Sequence, residues 1–393
     1  MMRRIVVVGN GIAGLTACDS LRSAGFDGEL TVVGAERHHP YSRPALSKAL
    51  LHGDDDLTSH ELPAPTHEAT ELLGLSATSL DTDARLVRLE DGGELPYDGL
   101  VIASGARAKR LATAPGSDGS AREVTVRTIE DAIALKQHVA ARPSVLVIGG
   151  GPLGMEVASG CLQAGCQVTL VSDAAPLARQ LGEHLSDVFT SAAIRRGLRV
   201  MGGGKARLVE SGAGALVVLA DGTELDADLI VTAIGDEPNT GWLAGSGLLV
   251  DGSLRVDSRG RLREDIVAAG DVAFFPTRHG LARVPLWTSA IEQAKTAALG
   301  LLRGEAAPEF DFQPYFWTEG FGLSLKAVGP TPVIGAPDYC EPGKDPESML
   351  LRWENADGTG TAAAINYRIP IPKLRRLATT GPDALRPAAP ARL

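Results

Sequence analysis

One glycine-rich pattern occurs twice in this chain. Gly9-Asn10-Gly11-Ile12-Ala13-Gly14 follows the apolar run Ile5-Val6-Val7-Val8, and Gly149-Gly150-Gly151-Pro152-Leu153-Gly154 follows Val145-Leu146-Val147-Ile148. Each run reads as a short buried parallel strand. Helices are expected from Gly11 to about Gly25 and from Gly151 to about Gly165, with second strands over residues 29–33 and 167–171. Strand, glycine turn, helix and strand make a βαβ unit. The first glycine permits a tight turn, the second lets the backbone approach a pyrophosphate, and the third lets helix and strand pack closely. The helix N-terminus then offers N–H groups and a positive dipole end to phosphate. Two such units, well over a hundred residues apart, mean two nucleotide-binding modules rather than a solenoid.

Glu36 lies 22 positions beyond Gly14, where a carboxylate can accept both hydroxyls of a ribose. A glycine-rich turn in an unrelated α/β protein is the bland alternative, and it explains neither the acid nor the second copy. One enzyme rarely needs two nicotinamides, whereas a flavoenzyme needs FAD together with NAD(P)H. That step rests on chemistry, not on spacing.

The remaining chain bounds the reading. A length of 393 residues suggests two or three domains. Further strands are expected at Gly99–Ala103, Leu229–Ala233 and Ile266–Ala269, and the small, polar stretch 111–122 reads as a linker. The net charge of −10 and pI of about 5.4 argue against broad nucleic-acid or anionic-membrane binding. No stretch reaches the roughly 18 apolar residues of a membrane span, and the Arg3-Arg4 start runs straight into the glycine motif, unlike a signal peptide. Cys18, Cys161, Cys166 and Cys340 are too few and scattered for a disulfide framework, which fits a cytoplasmic protein. His38, His39, His52, His60 and His67 show no metal-ligand logic, and thiolates grouped for an iron–sulfur cluster are lacking, so no metal site is expected.

Several segments narrow the class. Pro40-Tyr41-Ser42-Arg43-Pro44-Ala45-Leu46-Ser47-Lys48 is close to P-Y-x-R-P-P-L-S-K, and Tyr97 to Gly105 is close to Y-D-x-L-V-I-A-T-G. Ile234-Gly235-Asp236-Glu237-Pro238-Asn239-Thr240, Ala269-Gly270-Asp271-Val272-Ala273, Trp287-Thr288-Ser289-Ala290 and Phe316-Trp317-Thr318-Glu319 follow in order. Together they resemble the two-dinucleotide-domain flavoprotein reductases, and among these the ferredoxin reductases serving oxygenases and cytochrome P-450 systems. The resemblance covers roughly residues 1–330.

It implies an α/β fold with two Rossmann-like domains, for FAD and NAD(P), and a C-terminal α+β domain. Residues 1–110 and 239–312 would bind FAD, 111–238 NAD(P), and 313–378 would form the interface domain, followed by a flexible tail from 379. Flavin contacts are implied for Gly9, Gly11, Ile12, Ala13, Gly14, Glu36, Arg37, Arg43, Lys48, Ala103, Ser104, Gly105, Arg127, Gly270, Asp271, Trp287 and Thr288. Nicotinamide-nucleotide contacts are implied for Gly149, Gly151, Pro152, Leu153, Gly154, Ser172, Asp173, Arg179 and Gly235. Lys48 and Glu156 would lie near flavin N5, with Trp287 and Trp317 near the ring or the docked ferredoxin. Glu156 also reads as a first-turn carboxylate complementing its helix dipole, each tryptophan as ordinary packing, and Arg43 or Arg127 as surface arginines.

The implied reaction is hydride transfer from NAD(P)H to FAD, then single electrons to an acidic ferredoxin. Arg303, Lys326, Lys373, Arg375 and Arg376 are candidates for its docking rim, each equally readable as a solvated charge. An NADH oxidase, another small-molecule flavin reductase and a slow flavin-bound redox sensor are the rival functions, and monomer and homodimer stay open. Asp173 favours NADH, although Ser172 stands where NADH-specific relatives carry glutamate, which leaves NADPH open. Pro285-Leu286-Trp287 replaces the family's E-H-W type of tripeptide, Ser104 replaces threonine, and Gly320 stands where glutamine is common. Cys161 and Cys166 have disulfide-reductase spacing but sit in the wrong module, so packing is the reading.

Overall fold

The computed structural model describes residues 2–48, 60–113, 123–211, 214–277, 280–311, 313–355 and 358–382. Most of the expected linker (114–122), His52, Phe312 and the tail from 383 onward lie outside the described residues. The chain divides into two compact units. Met1–Ser42, Leu57–Arg107 and Asp236–Phe312 form the first; Arg43–Asp56, Ala108–Gly235 and Gln313–Leu393 form the second.

In the first unit a five-stranded parallel sheet runs in the order Ile266–Ala268, Gly99–Ile102, Arg4–Val8, Glu29–Gly34, Thr70–Leu73. Side chains alternate along each strand. Ile5 and Val7 therefore join one core with Ala17 and Leu21 of helix Ile12–Ser23 and Ala294 and Ala297 of helix Trp287–Arg303. Val6 and Val8 join the other, with Leu80 and Val87 of an antiparallel meander and Phe275. With aromatics at only 4% of the chain, the helices meet through small residues, which brings their backbones close.

The second unit repeats the plan. Its parallel sheet runs Glu123–Val124, Leu229–Thr232, Ser144–Ile148, Gln167–Ser172, Arg199–Gly202. Leu146 and Ile148 pack against Leu208, Val217 and Leu219 of a second antiparallel meander. Helix Ile129–Val139 starts at a capping box of Thr128 and Asp131. The C-terminal part adds a five-stranded antiparallel sheet, in the order Tyr315–Gly320, Leu323–Val328, Gly360–Ile365, Met349–Glu354, Tyr339–Pro342. Helix Ile371–Thr380 buries Leu374, Leu377 and Ala378 in the core that includes Val328, Leu350 and Ala364 of that sheet. The buried Arg352 guanidinium ties the helix down, donating to Leu377 O at 2.9 Å, Gly358 O at 2.9 Å and Glu354 Oε2 at 2.7 Å.

These elements make up the α/β fold that the motifs imply, with two Rossmann-like modules and a C-terminal α+β segment. Several bounds differ from the expected ones: residues 43–48 and 108–110 cluster with the second unit and residues 236–238 with the first. Thr379 and Thr380, expected in a frayed tail, belong to the last helical turn, where their hydroxyls bond to Arg375 O and Arg376 O.

Candidate active site

The first glycine fingerprint is shaped by close approach. Gly9 lies at φ +113°, and a Cβ there would sit 2.1 Å from Ala103 O; a Cβ on Gly14 would sit 1.8 Å from Gly9 O. Neither position tolerates a side chain. Gly11 is the opposite, with nothing within 4 Å of where its Cβ would be. It is the N-cap of helix Ile12–Ser23 and supplies no side-chain cap. The first-turn N–H groups have no intrahelical acceptor and no side-chain cap, an arrangement suited to an anion. That cradle fits a dinucleotide pyrophosphate.

Other expected flavin contacts gather in the same unit. A Cβ on Gly270 would lie 2.9 Å from the Ala13 methyl, so the Ala269-Gly270-Asp271 turn abuts the start of the first helix. Ser104 Oγ donates to Asn239 O at 2.9 Å, and Asn239 Nδ2 donates back to Ser104 O at 2.9 Å. Serine thus makes the tie without threonine's methyl. Glu36 Oε2 accepts the buried Tyr41 hydroxyl at 2.5 Å. Arg37 is exposed, and its side chain lies over Gly74. Trp287 and Thr288 are partly buried at the start of helix Trp287–Arg303, whose N-cap, Leu286, carries no polar cap.

Two residues that the motifs did not single out hold this region. Arg283 Nε donates to Asp271 O at 2.7 Å while Arg283 Nη2 meets Asp236 Oδ1 at 2.5 Å. The buried Gln293 side chain accepts from Gly270 N at 2.8 Å. A lone arginine after a strand and a glutamine within a helix carry no motif, so only the fold reveals them.

The second fingerprint repeats the crowding. A Cβ on Gly149 (φ +115°) would lie 2.2 Å from Ala233 O, and one on Gly154 would lie 2.0 Å from Gly149 O. Gly151, the N-cap of helix Pro152–Gln163, has only Gln180 Nε2 nearby, at 3.8 Å. Pro152, at the first helical position, brings the fixed φ that suits it. Ser172 ends the next strand and is buried; Asp173 follows, with Oδ2 2.9 Å from Arg179 Nη2. Gly235 is exposed at φ +103° and accepts from Lys109 N at 3.0 Å.

One turn into that helix lies a buried charge cluster. Glu156 Oε2 receives Lys48 Nζ at 2.9 Å and the Ser47 hydroxyl at 2.5 Å, and Glu156 Oε1 receives the Thr318 hydroxyl at 2.6 Å. Lys48 Nζ also donates to Pro44 O at 3.3 Å. The structure thus brings Lys48 and Glu156 together. No acid lies in the first helical turn, so Glu156 serves this cluster rather than the helix end. Ser47 and Thr318 each stand beside a residue the motifs marked, and were missed because a hydroxyl takes its role from its partner. Thr318 follows Trp317, which stacks on Tyr315 at 5.6 Å and 21°.

Arg43 Nη1 donates to Arg127 O at 2.8 Å, joining two expected phosphate contacts within the second unit. Lys373, Arg375 and Arg376 are exposed on helix Ile371–Thr380, Lys326 is partly buried on strand Leu323–Val328, and Arg303 is exposed on the first unit's last long helix. Cys161 and Cys166 are buried and free, as is Cys18. Burial pushes the Cys161 thiol up to about 12 and raises Cys18 and Cys166 above the ordinary thiol range. Raised thiols are poor nucleophiles.

The sequence profile of the pyridine nucleotide-disulphide oxidoreductases matches residues 3–298. Rhodocoxin reductase of Rhodococcus erythropolis is 37% identical over 83% of this chain and 78% of its own. The ferredoxin–NAD(+) reductase component of the anthranilate 1,2-dioxygenase system of Burkholderia cepacia is 33% identical over 98% of this chain and 97% of its own. The crystal structure of a covalent putidaredoxin reductase–putidaredoxin complex superposes with TM-score 0.81 at 28% identity, covering 96% of this chain and 93% of that one.

Proposed function

Because the chain belongs to the pyridine nucleotide-disulphide oxidoreductase family, we propose that it is an FAD-containing reductase drawing on NADH and delivering single electrons to an iron–sulfur ferredoxin of an oxygenase system. The observation that carries this reading is the pairing of two complete pyrophosphate cradles in one chain with buried, high-pKa thiols at the only closely spaced cysteine pair. Flavin chemistry without a dithiol relay follows. Relatives whose names state ferredoxin–NAD(+) reduction supply the acceptor.

When bound, FAD supplies the exchange between a two-electron donor and a one-electron acceptor. The chain's own groups do the rest. Gly9, Gly11 and Gly14 admit the backbone to a pyrophosphate, and Glu36, which also accepts the Tyr41 phenol, accepts from ribose hydroxyls. Arg283 and Gln293 fix the Gly270–Asp271 turn that we assign to the flavin's polar chain. Gly149, Gly151 and Gly154 admit NADH in the same manner. We assign Arg43 and Arg127 to phosphate or adenosine recognition and the Lys48–Glu156 pair to charge stabilisation during hydride transfer. Ser47 and Thr318 hold the Glu156 carboxylate in place.

Trp317 and the exposed cations of helix Ile371–Thr380 lie on the C-terminal part that we assign to an acidic ferredoxin. No described helix is long and apolar enough to cross a membrane, and we place the protein in the cytoplasm. The test is a steady-state assay of NADH oxidation with a [2Fe–2S] ferredoxin in air. Ferredoxin-dependent turnover well above oxygen consumption is expected. Rapid oxygen consumption that ferredoxin does not increase would instead identify an oxidase.

A further inference from the structure

The second module sets its charge beyond the second strand differently from the first. A bare carboxylate at such a site accepts from a ribose 2′-hydroxyl and repels a 2′-phosphate. Here the last strand residue is the neutral Ser172, whose buried hydroxyl packs so close to Gly150 that a Cβ there would lie 2.5 Å from Ser172 Oγ. The first acid, Asp173, is paired with Arg179 at 2.9 Å. Arg179 is not a stray surface cation. It lies in the short helix Ala178–Leu181, held to the glycine turn by Leu177 N donating to Gly150 O at 2.7 Å. A second cation, the exposed Lys205, stands three residues past Gly202, which is registered with Ser172 across the sheet.

Resting on the nicotinamide-nucleotide reading of this module, we propose that the Asp173–Arg179 pair makes the reductase tolerant of NADPH as well as NADH. With NADH, Asp173 accepts from the ribose hydroxyls. With NADPH, Arg179 leaves the carboxylate and forks onto the 2′-phosphate, with Lys205 adding attraction. The exchange is easy because both partners are half-exposed or more, where ion pairs contribute little. An unpaired acid would have excluded the phosphate outright.

The test is calorimetric binding of NAD+ and of NADP+ to the flavin-loaded protein, wild type and Arg179→Gln and Asp173→Asn variants. In the wild type the two Kd values should lie within about tenfold of each other, and NADP+ binding should weaken more steeply with salt. Arg179→Gln should raise the NADP+/NAD+ Kd ratio by about tenfold or more, and Asp173→Asn should lower it. A wild-type ratio above about a hundredfold, or a ratio that Arg179→Gln leaves unchanged, would overturn the proposal while leaving the NADH reading intact. A flavin-loaded protein that binds neither nucleotide would overturn both.

Discussion

Beyond its second strand the first module carries Glu36, whose Oε2 accepts the Tyr41 hydroxyl. The second module has Ser172 and an Asp173 bound to an arginine. The first crossover helix has Thr16 one turn in, whereas the second has Glu156, buried and bound to Lys48. Yet four of the five strands follow the same order in both sheets, only the edge strand beside Gly99–Ile102 or Leu229–Thr232 coming from a different place in the chain, and Gly9 and Gly149 meet the carbonyls of Ala103 and Ala233 in the same way. The scaffold admits a dinucleotide twice. We propose that the few side chains at its rim decide which one binds, and that the Lys48–Glu156 pair gives one module a charge suited to hydride transfer.

The sharpest way to break this comparison is to close each cradle in turn. Gly14→Val forces a Cβ against Gly9 O, a clash of the class that costs more than about 4 kcal/mol. The protein should purify without flavin or fail to fold. Gly154→Val meets the same obstacle in the other module. If that variant folds, it should stay yellow and lose NADH reduction, as an absorbance titration would show. Loss of flavin from Gly154→Val alone would reverse the assignment of the modules.

Next in size is Glu156→Gln. Flavin should be retained, while stopped-flow reduction by NADH slows by about 10- to 100-fold. The variant should also unfold earlier in urea, because removing one partner of a buried pair costs about 3 kcal/mol. An unchanged reduction rate would leave the cluster only a structural role. Smaller again is the double reversal Arg375→Glu, Arg376→Glu. Ferredoxin KM should rise about tenfold at low salt and converge with wild type at high salt, with dye reduction unchanged.

The smallest effect concerns the first unit alone. His67 is buried, its Nδ1 accepts from Ala69 N at 3.0 Å, and burial lowers its pKa, opposed by Asp19 and Glu71. The folded state thus resists a proton that the unfolded chain accepts near 6.5. Stability should be full above that value and decline as pH falls through it towards the lowered folded value. Urea midpoints across this window should show the slope, and His67→Gln should flatten it.

Much of this was legible from spacing. The glycines, the strands around them and Glu36 follow from backbone geometry, which allows few residue types at each position. Lys48 and Glu156 could be named from the resemblance, but their 2.9 Å contact spans more than a hundred residues. Arg283, Gln293, Ser47 and Thr318 escaped, because each acts through a hydrogen bond to a distant segment and none belongs to a periodic pattern. The C-terminal sheet showed only as a change of texture, and the clamp of Arg352 on its helix left no local sign.

The central claim is that one module holds FAD and the other receives NADH. Anaerobic titration of the purified protein with NADH, followed at the flavin band, tests it most directly. A yellow protein bleached by one equivalent of NADH per flavin is the predicted result. A protein that stays colourless after reconstitution with FAD, or a bound flavin that excess NADH fails to reduce, would contradict it.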